Sequence, residues 1–172
     1  LDVLKANVLG DAEHERIMAA APELGVVVAY GALFRETTLL APQRGWINLH
    51  FSLLPAWRGA APLQRALLAG DRALGVSVFQ LDSGMDSGPV WLQRSLSADP
   101  DATASELLSD FAEQGAPLIV ETIAQLSAGA SPTPQKGAAS LAAKFSAEDG
   151  MLRPGESAAS NFNRYRAVTE EP

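Results

Sequence analysis

Apolar positions fall into alternating short and long runs along this chain. Val26-Val27-Val28-Ala29-Tyr30 is continuously apolar and β-branched, the pattern of a strand buried on both faces in a parallel sheet. Trp46 to His50 and Gly75 to Leu81 predict two further strands, and Val90 to Leu96 can pair with the second. Helices are expected between them: Asp11 can cap one running to about Ala21, a short piece spans Glu36 to Leu40, and Pro62 opens one ending at Gly70. Thr103-x-x-Glu106 is a capping box for the longest helix. Its Leu107, Leu108, Phe111, Leu118, Ile119, Ile123 and Leu126 follow helical spacing, Pro117 is expected to kink it, and Gly129 closes it. Residues 1–10 read as a short strand and turn, with Gly31 in a strand-end loop.

Strands alternating with helices predict an α/β fold, a mainly parallel sheet flanked by helices. Residues 129–145, starting GASPTPQKGAAS, have linker composition. Beyond them, Phe162 and Tyr165 with Arg164 and Arg166 predict a short helix with one apolar edge.

Composition narrows the chemistry. With no cysteine among 172 residues, disulfides, thiolate metal sites and thiol nucleophiles are excluded. Two histidines, His14 and His50, make a His-rich metal site unexpected. An apolar fraction of 47% with 19% charged residues fits a soluble globular protein, no apolar run reaches the roughly 18 residues of a membrane span, and the charged N-terminal stretch is no signal peptide. A net charge of −7 argues against broad electrostatic binding of nucleic acid.

Asn48 and His50 lie two apart in an apolar strand, so both project from the same face. Asp86 follows the next strand in a glycine-flanked turn. An amide, an imidazole and a carboxylate at strand ends are the parts of an acyl-transfer site that needs no covalent nucleophile. Each also has a structural reading on its own: His50 as a satisfied buried side chain, Asn48 as a strand-end hydrogen-bonding residue, Asp86 as a turn former, Ser52 as a loop cap and His14 as a surface helix residue.

The segment Asn48-Leu49-His50-Phe51-Ser52-Leu53-Leu54-Pro55, followed by Trp57-Arg58-Gly59-Ala60-Ala61-Pro62-Leu63-Gln64-Arg65, resembles the signature of the methionyl-tRNA formyltransferase family. The wider superfamily of 10-formyltetrahydrofolate-dependent formyltransferases shares the Asn-x-His element, the SLLP turn and a later Asp. Similarity runs from about Val26 to Val90 and more weakly to Lys144. It implies a Rossmann-like formyltransferase domain over 1–128, with Asn48, His50 and Asp86 catalytic and Ser52, Leu53, Leu54 and Pro55 forming the folate-binding turn. It further implies 10-formyltetrahydrofolate as co-substrate without a metal, initiator methionyl-tRNA as partner, and a monomeric cytoplasmic enzyme. Alternatives are another user of 10-formyltetrahydrofolate, such as a formyl hydrolase or dehydrogenase domain or a sugar-amine formyltransferase, and a non-catalytic folate-binding module. Phe51 stands where the family has Gly, so an altered pocket is expected. The chain also begins without the family's first βα units, and its residues 146–172 resemble the lead into a C-terminal β-barrel domain. A fragment of little activity by itself is therefore expected.

Overall fold

A computed structural model describes residues 3, 6, 9–30 and 34–168. Strands β1 (Gly25–Val28), β2 (Trp46–His50), β4 (Gly75–Gln80) and β5 (Val90–Ser95) form one sheet in that spatial order. A two-stranded sheet joins β3 (Arg58–Gly59) to β6 (Leu141–Ala142). Helices α1 (Asp11–Ala20), α2 (Glu36–Leu39), α3 (Pro62–Ala69), α4 (Ala104–Ser127) and α5 (Ala158–Ala167) complete the described elements.

The α/β class stands, with a correction to the strand directions. β1 and β2 are parallel, but β2–β4 and β4–β5 are antiparallel, so the sheet is mixed. The second reversal is a direct β4–β5 connection with no helix, which forces antiparallel pairing. Most of the expected strand and turn over residues 1–10, and Gly31, lie outside the described residues.

Pairing register sorts the side chains. Leu49 opposes Val78, and together with Ile47 and Val76 these face the helices; Asn48 opposes Phe79, and His50 opposes Ser77, on the other face. The first set packs with Leu63 and Leu67 of α3 and Leu107, Phe111 and Leu118 of α4 in the main core. Phe51 joins that core and does not line the cleft described below. The ring continues the odd-numbered, helix-facing series of β2. β1 is also corrected. Only Val27 of its valines is buried, while Val26 and Val28 stand 43% and 46% exposed on the helix side, beyond the cover of α4 among the described residues.

α4 begins at the expected capping box: the Thr103 N–H donates to Glu106 Oε2 at 2.8 Å, and the Glu106 N–H returns to Thr103 Oγ1. It runs through Pro117 without a break. Its buried positions step as Ala104, Leu107, Phe111, Gly115, Leu118, Thr122 and Leu126. Gly115 lets the helix approach the sheet, since a Cβ there would come within 2.7 Å of the Leu49 side chain. Helix α1 is capped differently from expectation: Gly10 is the N-cap, Asp11 the first helical residue, and Glu13 accepts from the Gly10 N–H at 2.8 Å.

Residues 129–145, expected as a linker, lie against the body as a strap. Thr133 and Val90 exchange two backbone hydrogen bonds of 2.8 Å, and the Arg58 and Ala60 N–H groups donate to Ser140 and Ala142. Helix α5 packs on α3 through buried Ala167, leaving Phe162 and Tyr165 outward. Arginines anchor this end instead: Arg65 pairs with Asp149 at 2.8 Å, and Arg164 with Glu156 at 2.9 Å.

Candidate active site

β2 delivers Asn48 and His50 to the face away from the helices, as the two-residue period requires. Asn48 lines a cleft of about 350 Å³ with Val27, Tyr30, Phe34, Leu81 and Asp86. Its Oδ1 is buried and has no hydrogen-bond partner among the described residues. An orphaned buried acceptor costs stability unless a ligand or water completes it.

His50 is 5% exposed and is not among the cleft-lining residues. Its Nε2 lies 2.9 Å from the Trp57 carbonyl, and its Nδ1 lies 3.7 Å from Asp86 Oδ2. A carbonyl can only accept, so Nε2 carries the proton and Nδ1 faces the carboxylate. Burial lowers the imidazole pKa below its ordinary value of 6.5; the Asp86 charge and the Trp57 hydrogen bond oppose that shift without overcoming it. The resting side chain is therefore a neutral imidazole with its basic nitrogen toward Asp86.

Asp86 sits in the left-handed region with φ 47°, a conformation an Asp in a tight turn adopts more readily than most residues. Its Oδ2 also accepts from the Gly59 N–H at 2.7 Å. Gly59 itself has φ 127°, and a Cβ there would lie 2.5 Å from the Ala142 carbonyl oxygen, so glycine is needed where the donor approaches. The structure thus brings together all three polar residues expected from the sequence. The bland readings hold in part alongside: His50 is buried with Nε2 hydrogen-bonded, and Asp86 shapes a turn.

The turn Ser52–Pro55 follows His50 but does not line this cleft. Ser52 Oγ donates to the Ala56 carbonyl at 2.6 Å, as a loop cap would, and the Leu54–Pro55 peptide is cis. Ser77 and Gln93 clamp the turn: the Leu54 N–H donates to Ser77 Oγ at 3.0 Å, and Gln93 Nε2 donates to the Leu54 carbonyl at 2.6 Å. Neither clamp residue was anticipated, although a serine inside the otherwise apolar run 76–79 is the signal that marks one. His14 is half-buried rather than a free surface residue, with Nδ1 3.2 Å from Thr38 Oγ1. No cluster of three or more potential metal ligands occurs among the described residues, and no described helix is long and apolar enough to cross a membrane.

An α/β scaffold thus carries an amide and a carboxylate at one cleft, with an imidazole buried behind the carboxylate. Residues 4–123 match the family model described as formyl transferase, and the chain belongs to that family. It is 48% identical, over its whole length, to methionyl-tRNA formyltransferases of Clavibacter sepedonicus and of Leifsonia xyli subsp. xyli, and spans 57% of each. Among solved structures it is similar to HypX from Aquifex aeolicus in complex with tetrahydrofolic acid (TM-score 0.80, 19% identity, 92% of this chain and 28% of that one). It is also similar to the methionyl-tRNA formyltransferase from Clostridium thermocellum (TM-score 0.75, 20% identity, 91% of this chain and 67% of that one). These structural likenesses concern the fold.

Proposed function

We propose that this chain carries the reaction centre of a cytoplasmic methionyl-tRNA formyltransferase, moving a formyl group from 10-formyltetrahydrofolate to the α-amine of methionine on initiator tRNA. The observation that carries the reading is the meeting of Asn48 and Asp86 at one cleft, with His50 Nδ1 3.7 Å from the carboxylate. The names of the relatives above supply the acceptor class; their further length, beyond the 57% this chain spans, leaves room for other tRNA contacts.

Asn48 donates through Nδ2 to the formyl oxygen as it gains negative charge, while its Oδ1, without a partner among the described residues, accepts from the incoming amine. Attack forms the new C–N bond, and the proton the amine sheds passes through Asp86 to Nδ1 of His50. His50 then becomes an imidazolium held by Asp86 and the Trp57 carbonyl, adding positive charge beside the oxyanion. Collapse breaks the bond to the folate nitrogen, which leaves with that proton. The folate role implied for Ser52, Leu53, Leu54 and Pro55 falls on a turn outside the cleft, next in sequence to His50 and clamped at Leu54 by Ser77 and Gln93.

The test uses the full-length protein with 10-formyltetrahydrofolate and Met-tRNA. Asn48→Ala is expected to lower kcat by about 10²–10³-fold, as loss of one oxyanion donor does elsewhere. Release of free formate or formylation of a sugar amine, with no product on tRNA, would instead assign the chain to a different formyl-group user.

A further inference from the structure

We infer that Gln135 is a positioning residue for Asp86, locking the backbone that aims the carboxylate at His50. This rests on the reading of Asn48, His50 and Asp86 proposed above.

Gln135 lies in the stretch of linker composition, within the strap pinned by Thr133 and Ser140. All four hydrogen-bonding positions of its amide are used. Nε2 donates to the carbonyls of Asp86 at 2.8 Å and Gly88 at 2.7 Å, while Oε1 accepts from Arg58 Nε at 3.1 Å and Nη2 at 2.7 Å. One side chain therefore joins the turn that carries Asp86 to the strand whose next residue, Gly59, donates to the Asp86 carboxylate. The result is a closed ring: Arg58 to Gln135, Gln135 to the Asp86 main chain, and the Asp86 side chain back to Gly59.

Such a ring has a specific use here. Asp86 holds a left-handed backbone conformation, whose cost for any residue with a Cβ is offset by surrounding bonds that hold it. A rotation of that residue would swing its carboxylate away from both Gly59 and His50. Gly88, the second carbonyl bound by Gln135, is itself packed so closely on the Gln80 carbonyl that a Cβ would overlap it, so the turn has little room to adjust on that side. Gln135 does not line the cleft, and it acts on the reaction only through Asp86.

Two variants of the full-length protein separate positioning from simple anchoring. Gln135→Met keeps length and neutrality but deletes all four bonds. Gln135→Glu keeps an acceptor for Arg58 but cannot donate to the Asp86 and Gly88 carbonyls. Both are expected to lose about 10–100-fold in kcat, the range for a reacting group misplaced by about 1 Å, with KM for either substrate nearly unchanged. An imidazole ¹⁵N titration of His50 supplies a readout independent of turnover. Asp86, 3.7 Å from Nδ1, is the charged group in contact with His50 among the described residues; Asp82 and Glu36 line the neighbouring cleft, and Arg58 is held by Gln135. With Asp86 loosened, His50 in the Met variant is expected to titrate at lower pH than in the parent.

An unmoved His50 titration in the Met variant overturns the inference, whatever happens to kcat. Recovery of kcat by the Glu variant also overturns it, because Gln135 would then serve only Arg58. Loss of folded amide dispersion in both variants assigns Gln135 a purely structural role, which equally overturns it. A parent protein that formylates no acceptor removes the functional reading instead, and the ¹⁵N titration still decides whether Gln135 positions Asp86.

Discussion

His50 couples burial to protonation in one side chain. Folding lowers its pKa, chiefly by burial, so near pH 6 the unfolded chain binds more protons at this site than the native one. Its contribution to stability is therefore complete above about 6.5 and declines as the pH falls through the lower native value. Urea midpoints compared at about pH 7.5 and about pH 5.5 should drop more for the parent than for His50→Gln, in which this titration is gone. Equal drops would mean that His50 is not buried neutral. The same residue was legible in the sequence only as one of a pair on a strand face. Its tautomer was not, because that depends on the Trp57 carbonyl, a main-chain atom whose identity as a partner carries no residue signal.

At the level of elements, α4 shows local sequence and tertiary packing in agreement. Thr103 and Glu106 close its first turn, and Phe111 is fully buried against the sheet. Thr103→Ala should cost about 1 kcal/mol of unfolding free energy through the lost cap, and Phe111→Ala about 3–5 kcal/mol through lost burial and the cavity left behind. Denaturant titration of the two variants checks both magnitudes; similar losses would contradict this division between surface cap and core. The helical period was readable from 107 to 126, but it pointed to Ile123, which is 39% exposed, and passed over Thr122 and Gly115, which are buried. Periodicity gives the stripe; which flank of it meets the sheet depends on how closely the helix approaches, and Gly115 sets that approach over Leu49. β1 was misread for a related reason. A continuous run of valines signals apolar surroundings on both faces, whereas the described helices cover only part of the sheet.

Across the whole molecule, the segment after α4 is tied to the body by bonds centred on two arginines. Arg65 grips Asp149 and the carbonyls of Ala143 and Lys144, and Arg164 grips Glu156 and the Asp149 carbonyl. Hydrogen bonding from Arg65 holds the Asp149 carboxyl at about 2, and that from Arg164 holds Glu156 at about 2, both below their ordinary values. A carboxylate whose pKa falls on folding stabilises the native state fully above its ordinary value and loses that contribution as the pH drops toward the native one. Arg65→Met should therefore be less stable than the parent near neutrality, with the gap closing as the pH is lowered from about 5 to about 2. A gap independent of pH would show that Arg65 acts through its stacking over Phe145, 5.3 Å from the ring centroid, rather than through Asp149.

The sequence by itself determined the strands and helices with strong periods, the caps at Thr103 and Gly70, and the shared face of Asn48 and His50. These follow from backbone geometry over a few neighbouring residues, which short-range pattern records directly. Only the tertiary structure decided the antiparallel pairing of β2 with β4, the placing of Asp86 beside His50, and the conversion of a linker-like stretch into a strap carrying Gln135. Those outcomes join residues tens of positions apart through main-chain atoms and glycine-sized gaps. Neither leaves a periodic trace, because the partner of a carbonyl or an N–H is chosen by what the fold brings within about 3 Å of it.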